Sequence, residues 1–130
     1  MKSESIIYDF ENGALELPEG VIRFAERPWN RHPAFAGVAL KHLVTAAETD
    51  SRFSYHLVRI EPGCEIGTHI HETQLETHEV VFGTGTCVNN GREIGYRPGV
   101  VSIFQPGEKH SVQADGCGLF LLAKFMPSLC

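Results

Sequence analysis

From residue 38 onward the chain is cut into short β-rich runs by turn signals at near-regular spacing. That punctuation constrains the fold more than any other feature. Glu61-Pro62-Gly63, Asn89-Asn90-Gly91, Arg97-Pro98-Gly99, Gln105-Pro106-Gly107 and Asp115-Gly116-Cys117-Gly118 all read as turns. Proline presets φ for one turn position, while glycine and asparagine tolerate the positive φ of another. Asn90-Gly91 in particular suits a type I′ hairpin. The stretches between them, residues 38–44, 53–60, 66–71, 76–82, 84–89, 100–103 and 119–125, read as strands. No segment sustains a 3.6-residue periodicity. Residues 34–49 come closest, but Gly37 and the β-branched residues weaken the case. Short strands with this spacing predict an all-β antiparallel sandwich or barrel, a single domain over residues 36–127.

Residues 1–35 are less regular. Leu15 and Leu17 alternate with polar neighbours, Pro18-Glu19-Gly20 makes a turn, and residues 21–24 suit a short strand. Two prolines forbid a helix through residues 27–33. Trp29 is expected to plug one end of the core and His32 to lie on the surface. The last run, residues 119–125, is apolar at almost every position, so both its faces should be covered. Either a homodimer interface or the N-terminal segment could cover it, and a homodimer is expected.

The bulk numbers exclude several classes of function. At 130 residues the chain can bury its own core without staples. Net charge is −5 and the 11 Lys and Arg residues never form a run, so nothing resembles a footprint for nucleic acid or an anionic membrane. No apolar run approaches the roughly 18 residues of a membrane-spanning helix. The first residues lack a signal-peptide pattern. Cys64, Cys87, Cys117 and Cys130 show no CxxC spacing, and reduced thiols in a cytoplasmic protein are expected.

Chemistry concentrates in residues 63–83. Residues i and i+2 of a strand share a face, about 7 Å apart, so His69 and His71 can aim two imidazoles into one cavity. A short connection brings Glu76 onto the neighbouring strand, and His110 opens another strand after its own Pro-Gly turn. Three imidazoles and a carboxylate form an N/O set suited to Fe(II), Mn(II), Ni(II), Co(II) or Zn(II). Four protein ligands leave two cis positions of an octahedral ion open, as in a site that binds or activates something.

Residues 63–83 resemble the first motif of the cupin superfamily, G-x5-H-x-H-x4-E-x6-G, with Gly63, His69, His71, Glu76 and Gly83 at its spacing. Residues 99–114 resemble the second, G-x5-P-x-G-x2-H-x3-N. Gly99, Gly107 and His110 are in register there, Gln105 replaces the proline and Ala114 the asparagine. The resemblance implies a double-stranded β-helix, a jelly-roll-like antiparallel barrel, with His69, His71, Glu76 and His110 holding a divalent transition metal. The lost asparagine is not one of those ligands.

Strand parity extends the pocket. Counting in twos from Glu76 turns His78, Val80 and Phe82 inward, and the same rule turns Val112 inward with His110. His78 is then a partner of the metal site or an acid–base group beside it, or else a histidine at the barrel mouth. One of Tyr55 and His56 must face inward; both parities of that run carry apolar residues. Phe82, Phe104 and Phe120 are expected as walls; Arg59 and Lys124 are the cationic candidates for holding a carboxylate substrate, although a solvated face is the expectation for each. The resemblance implies a metal-dependent enzyme acting on a small organic molecule (oxygenase, isomerase, lyase or decarboxylase type). The other reading is a non-catalytic small-molecule-binding or sensor module.

Overall fold

The computed structural model describes the backbone of residues 2–130 and the side chains of residues 6–130. Helix α1 (Lys2–Asn12) precedes a hairpin of β1 (Ala14–Leu17) and β2 (Gly20–Arg23). A 3-10 turn, Phe24–Glu26, leads into β3 (Trp29–Arg31). The strands that carry the fold are β4 (Val38–Val44), β5 (Ser54–Ile60), β6 (Glu65–His69), β7 (Leu75–Asn89), β8 (Arg92–Tyr96), β9 (Val101–Phe104) and β10 (His110–Met126). A single-turn helix, α2 (Ala46–Thr49), joins β4 to β5 and is closed by a Thr45–Glu48 capping box.

All strand pairings are antiparallel. The main sheet runs β3-β4-β5-β10-β7-β8, with β6 also beside β10 and β9 beside β7. This is an all-β double-stranded β-helix, the form the cupin resemblance implies of the antiparallel sandwich or barrel that the turn spacing predicts. The Asn90-Gly91 turn has positive φ at both positions (49° and 88°), so Asn89 pairs with Arg92 across a type I′ hairpin.

The expected strands 76–82 and 84–89 are one continuous strand, β7, and the run 119–125 is the far half of β10. Each is long because it serves both ends of the β-helix, and each changes its inward parity midway. On β7 the buried positions are 76, 78 and 80, then 85 and 87. On β10 the inward positions are 110, 112 and 114, then 119, 121, 123 and 125; Gly118 and Leu122 are buried as well. The switch on β7 is a bulge: Leu121 pairs with Val80 and Phe120 with Phe82, so Val81 is the extra residue. The switch on β10 is the excursion between Ala114 and Leu119. Gly83 sits where the two meet. Its φ is +85° and a Cβ there would collide with the Gly118 carbonyl.

Two apolar clusters result. The inner one includes Val58, Ile60, Ile66, Val80, Cys87, Tyr96, Phe104, Val112, Leu119 and Leu121. The outer one, Phe24, Leu43, Leu57 and Leu122, is covered by Phe10, Leu15 and Trp29 of the N-terminal elements. Each fully buried side chain of this kind contributes roughly 1.5–3 kcal/mol. Leu122 is therefore covered by the chain's own N-terminal segment, which accounts for the doubly apolar character of β10. Trp29 plugs this face: its indole N–H donates to Glu11 (3.1 Å) and the Arg59 guanidinium stacks on its ring (4.4 Å). Among the described residues no helix is long and apolar enough to cross a membrane.

Candidate metal centre and its cavity

His69 ends β6 and His110 begins β10, and these two residues pair directly across the ladder. His71 lies in the connection after β6, and Glu76 enters at the start of β7. One donor atom from each of His69, His71, Glu76 and His110 lies within 4.8 Å of every other. Backbone carbonyls orient two of the rings. His69 Nδ1–H donates to Gly67 O (2.8 Å) and His110 Nδ1–H to Glu108 O (3.1 Å), which leaves both Nε2 atoms as bare lone pairs. The His110 ring is also clamped face-to-face on Phe104, centroids 4.1 Å apart.

This orientation creates a contact that needs a proton or a cation between its two atoms. His110 Nε2 is 2.9 Å from Glu76 Oε1, and His71 Nε2 is 3.5 Å from the same oxygen. With its Nδ1–H committed, His110 meets the carboxylate acceptor to acceptor, and only a cation or a shared proton between them relieves that. The donor set therefore fits a metal ion. Burial alone would push the Glu76 carboxyl up, but the adjoining His78 and His110 rings outweigh it and hold the group well below the usual carboxylate range. Burial is also the largest influence on His69 and His71, lowering both and keeping their imidazoles neutral, the form that coordinates.

His78 is buried and belongs to this constellation, away from any rim. Its Nε2–H donates to Glu76 Oε2 (2.9 Å), and its Nδ1 accepts from the Tyr96 hydroxyl (3.1 Å). The chain Tyr96–His78–Glu76 thus fixes which carboxylate oxygen faces the imidazoles. Tyr96 carries no signal in the sequence, because its reach depends on the β7–β8 register.

The centre opens into a cavity of about 320 Å³. Leu40, Val58, Ile66, Ala123 and Phe125 make its apolar wall; Asn30, Arg31, His32 and His42 line another part. Several expected wall residues lie elsewhere. Of the pair on β5, His56 is buried on the inward face and Tyr55 packs with the outer cluster. Phe82 does not line the cavity. The Val81 bulge turns it outward, where it meets Phe120 edge-on (6.0 Å, 76°). Val80 and Val112 are inward in the packed core. Arg59 and Lys124 are engaged outside, on the rings of Trp29 and Tyr55. Arg31 of β3 is the cation at the cavity, and His32, expected on the surface, also lines it. Neither was findable, since β3 is too short to show parity and its neighbour β4 is set by long-range pairing.

Fold and donor set together define a class: double-stranded β-helix proteins with a three-histidine, one-carboxylate centre facing a cavity. The Cupin domain family model matches residues 56–120, half of the chain, and the chain belongs to the cupin family. It is 28% identical over 93 residues to the oxalate-binding protein of Thermotoga maritima, spanning 70% of this chain and 76% of that one. Among solved structures, a predicted oxalate decarboxylase from Thermotoga maritima superposes with a TM-score of 0.73 at 25% identity, covering 82% of this chain and 97% of that one. KdgF from Halomonas sp. superposes with a TM-score of 0.69 at 18% identity, covering 79% and 90%, a likeness of fold alone.

Proposed function

We propose that this chain is a metal-dependent cupin enzyme acting on a small carboxylate, with a divalent transition ion held by His69, His71, Glu76 and His110. The observation that carries this reading is the convergence of four donor atoms, one from each of these residues, within 4.8 Å of one another beside a partly apolar cavity. When bound, the ion supplies Lewis acidity or, if it is iron or manganese, redox chemistry. The chain's own residues do the rest. His78 holds Glu76 in place, and the apolar wall of Leu40, Val58, Ile66, Ala123 and Phe125 excludes water and takes the substrate's body. Arg31 offers donors to a carboxylate in the cavity. The cavity is larger than a two-carbon diacid needs, so carboxylates with an apolar substituent fit this shape as well. The relative named an oxalate-binding protein and the neighbour named a predicted oxalate decarboxylase support the carboxylate class.

The first of those names also supports a second reading, a module that captures a carboxylate without changing it. One experiment separates them. Metal content is measured on protein purified without a chelating column, and the loaded protein is then incubated with oxalate and a series of larger mono- and dicarboxylates. Metal-dependent product formation supports the enzyme. Tight binding with the ligand recovered unchanged supports capture. Carboxylate binding that is equally strong after metal removal, with no product formed, would overturn the metal-dependent enzyme.

A further inference from the structure

A second donor cluster lies on the same cavity and plays no part in the first. His42 of β4 and His56 of β5 face each other across the ladder, Nδ1 to Nδ1 at 2.8 Å. Cys130 joins them: one donor atom from each of the three lies within 4.8 Å of the other two. The cysteine is held there by its segment. Ser128 N–H donates to Ser51 O (3.1 Å), Leu129 N–H to Ser54 Oγ (2.8 Å) and Ala46 N–H to Cys130 O (2.7 Å), while the Gln74 amide donates to Ser128 O (2.9 Å). His42 and Cys130 both line the cavity, and Phe125 stands between the clusters, with His56 on one edge (5.5 Å) and His71 on the other (5.1 Å).

We propose that His42, His56 and Cys130 form a second metal site, one that takes a thiophilic ion such as Zn(II) at the wall of the cavity. Two imidazoles and a thiolate are a borderline-soft set, unlike the three imidazoles and carboxylate of the first centre, so the two sites select different ions. Three protein ligands leave a fourth, tetrahedral position facing the cavity.

The geometry needs only small adjustment. Around a tetrahedral ion with Zn–N distances of about 2.0–2.1 Å the two Nδ1 atoms stand roughly 3.3 Å apart, about half an ångström wider than their present 2.8 Å. The protons also balance. Without metal, Ser54 O–H donates to His56 Nε2 (2.7 Å), His56 Nδ1–H donates to His42 Nδ1, and His42 carries its proton on Nε2. With metal, His56 moves its proton to Nε2 and donates it to Ser54 Oγ, which accepts it alongside the Leu129 N–H on its two lone pairs. Each imidazole keeps one proton, and the thiol alone releases one to solvent. A ligating histidine whose other nitrogen donates to an oxygen is the arrangement that fixes ring and tautomer in metal sites. Burial lowers both histidines, His56 to about 3, so both offer lone pairs at neutral pH. The nearby cation, Arg27, is paired with Glu48 at 3.0 Å, which offsets its repulsion of an incoming ion.

Cobalt(II) gives the test, because a sulfur-to-cobalt charge-transfer band in the near ultraviolet reports thiolate coordination and the first centre has no sulfur. Metal-free protein titrated with Co(II) is expected to develop this band. Cys130→Ser and His42→Gln should abolish it, and Zn(II) should displace it. Total bound metal should fall by about one ion per chain in Cys130→Ser. Glu76→Gln and His71→Ala, which damage the first centre, should leave the band intact, so failure of the proposed carboxylate chemistry and failure of this site are distinguishable. Cys64→Ser and Cys117→Ser are the controls. A wild-type titration that saturates with no thiolate band overturns the proposal. So does a band that survives in Cys130→Ser or disappears in Cys64→Ser, and so does loss of the band in both first-centre variants. If His42→Gln lowers turnover while the band never forms, the pair is a proton relay and not a ligand set.

Discussion

His78→Phe tests the chain of contacts that orients Glu76. Phenylalanine fits the slot between Phe104 and Tyr96, whose ring centroids lie 4.7 and 6.1 Å from that of His78. It removes the donor to Glu76 Oε2 and the acceptor of the Tyr96 hydroxyl. A buried acceptor left without its partner costs about 1–3 kcal/mol, with a charged oxygen toward the upper end. That is the loss expected in urea unfolding of metal-free protein. The metal adds a second term. Removing the group that orients a ligand typically weakens affinity about 10–100-fold, or roughly 1.4–2.7 kcal/mol. An ion held by the proposed centre would bind only the folded chain, so the stability gap between wild type and variant should widen by that amount at saturating metal. Affinity would be read by competition with a chromophoric chelator. His78→Gln, whose amide can still donate, should recover part of both losses. Equal metal affinity in wild type and His78→Phe, or a stability gap that does not change on loading, would refute the reasoning.

Three further outcomes follow from other features. His56 is lowered to about 3, by burial first and then by His42, against an unfolded value near 6.5. The unfolded chain therefore binds the extra proton first. This contribution is fully present above about pH 6.5 and is lost as pH falls toward about 3, up to about 5 kcal/mol in all. Urea unfolding of metal-free protein should show a shallower acid loss in His56→Gln than in wild type, and parallel curves would sink the idea. Gly83→Ala should cost about 2–4 kcal/mol from its positive φ and the clash with Gly118. Gly91→Ala, at similar φ but with open space around it, should cost only about 1–2 kcal/mol; equal thermal shifts would contradict this. Arg31→Ala should weaken carboxylate binding by roughly 10-fold with metal content unchanged, because one charge-assisted pair is worth about 1.5–3 kcal/mol in full and less at an exposed position.

What was legible in the sequence was local. Turns written in Gly, Pro and Asn placed β4, β5, β6 and β9 within two residues but gave no sign of β3 or β8, and histidine and glutamate spacing singled out the four residues that the fold gathers. What was not legible depends on register between distant strands. Arg31, His32 and His42 reach the cavity because β3 and β4 pair with each other and with β5. Helix α1 escaped notice because its inward face is small: Ile7 is buried and Phe10 packs on the outer cluster, whereas Ile6 and Tyr8 are exposed. Two inward residues in two turns do not make a periodic signal. Phe82 was misplaced for one reason, since counting in twos from Glu76 fails one residue beyond Val80.

That extra residue has a consequence for how this protein can change its length. Val81 lets β7 serve the centre with even-numbered residues and the opposite end with odd-numbered ones. Deleting it would leave a plain ladder, with Val80 still opposite Leu121 and Phe82 opposite Phe120, and Cys87 would stay inward; drawing Val81 into the ladder instead would turn the distal half as a block, bringing Val88 inward and putting Cys87 outside. The end that carries Glu76 and His78 and the far end are thus separable in register. An insertion of two residues beyond the bulge preserves every inward position, whereas an insertion of one exchanges the core for the surface. A survey of viable insertions between residues 82 and 89 should recover even lengths and exclude odd ones.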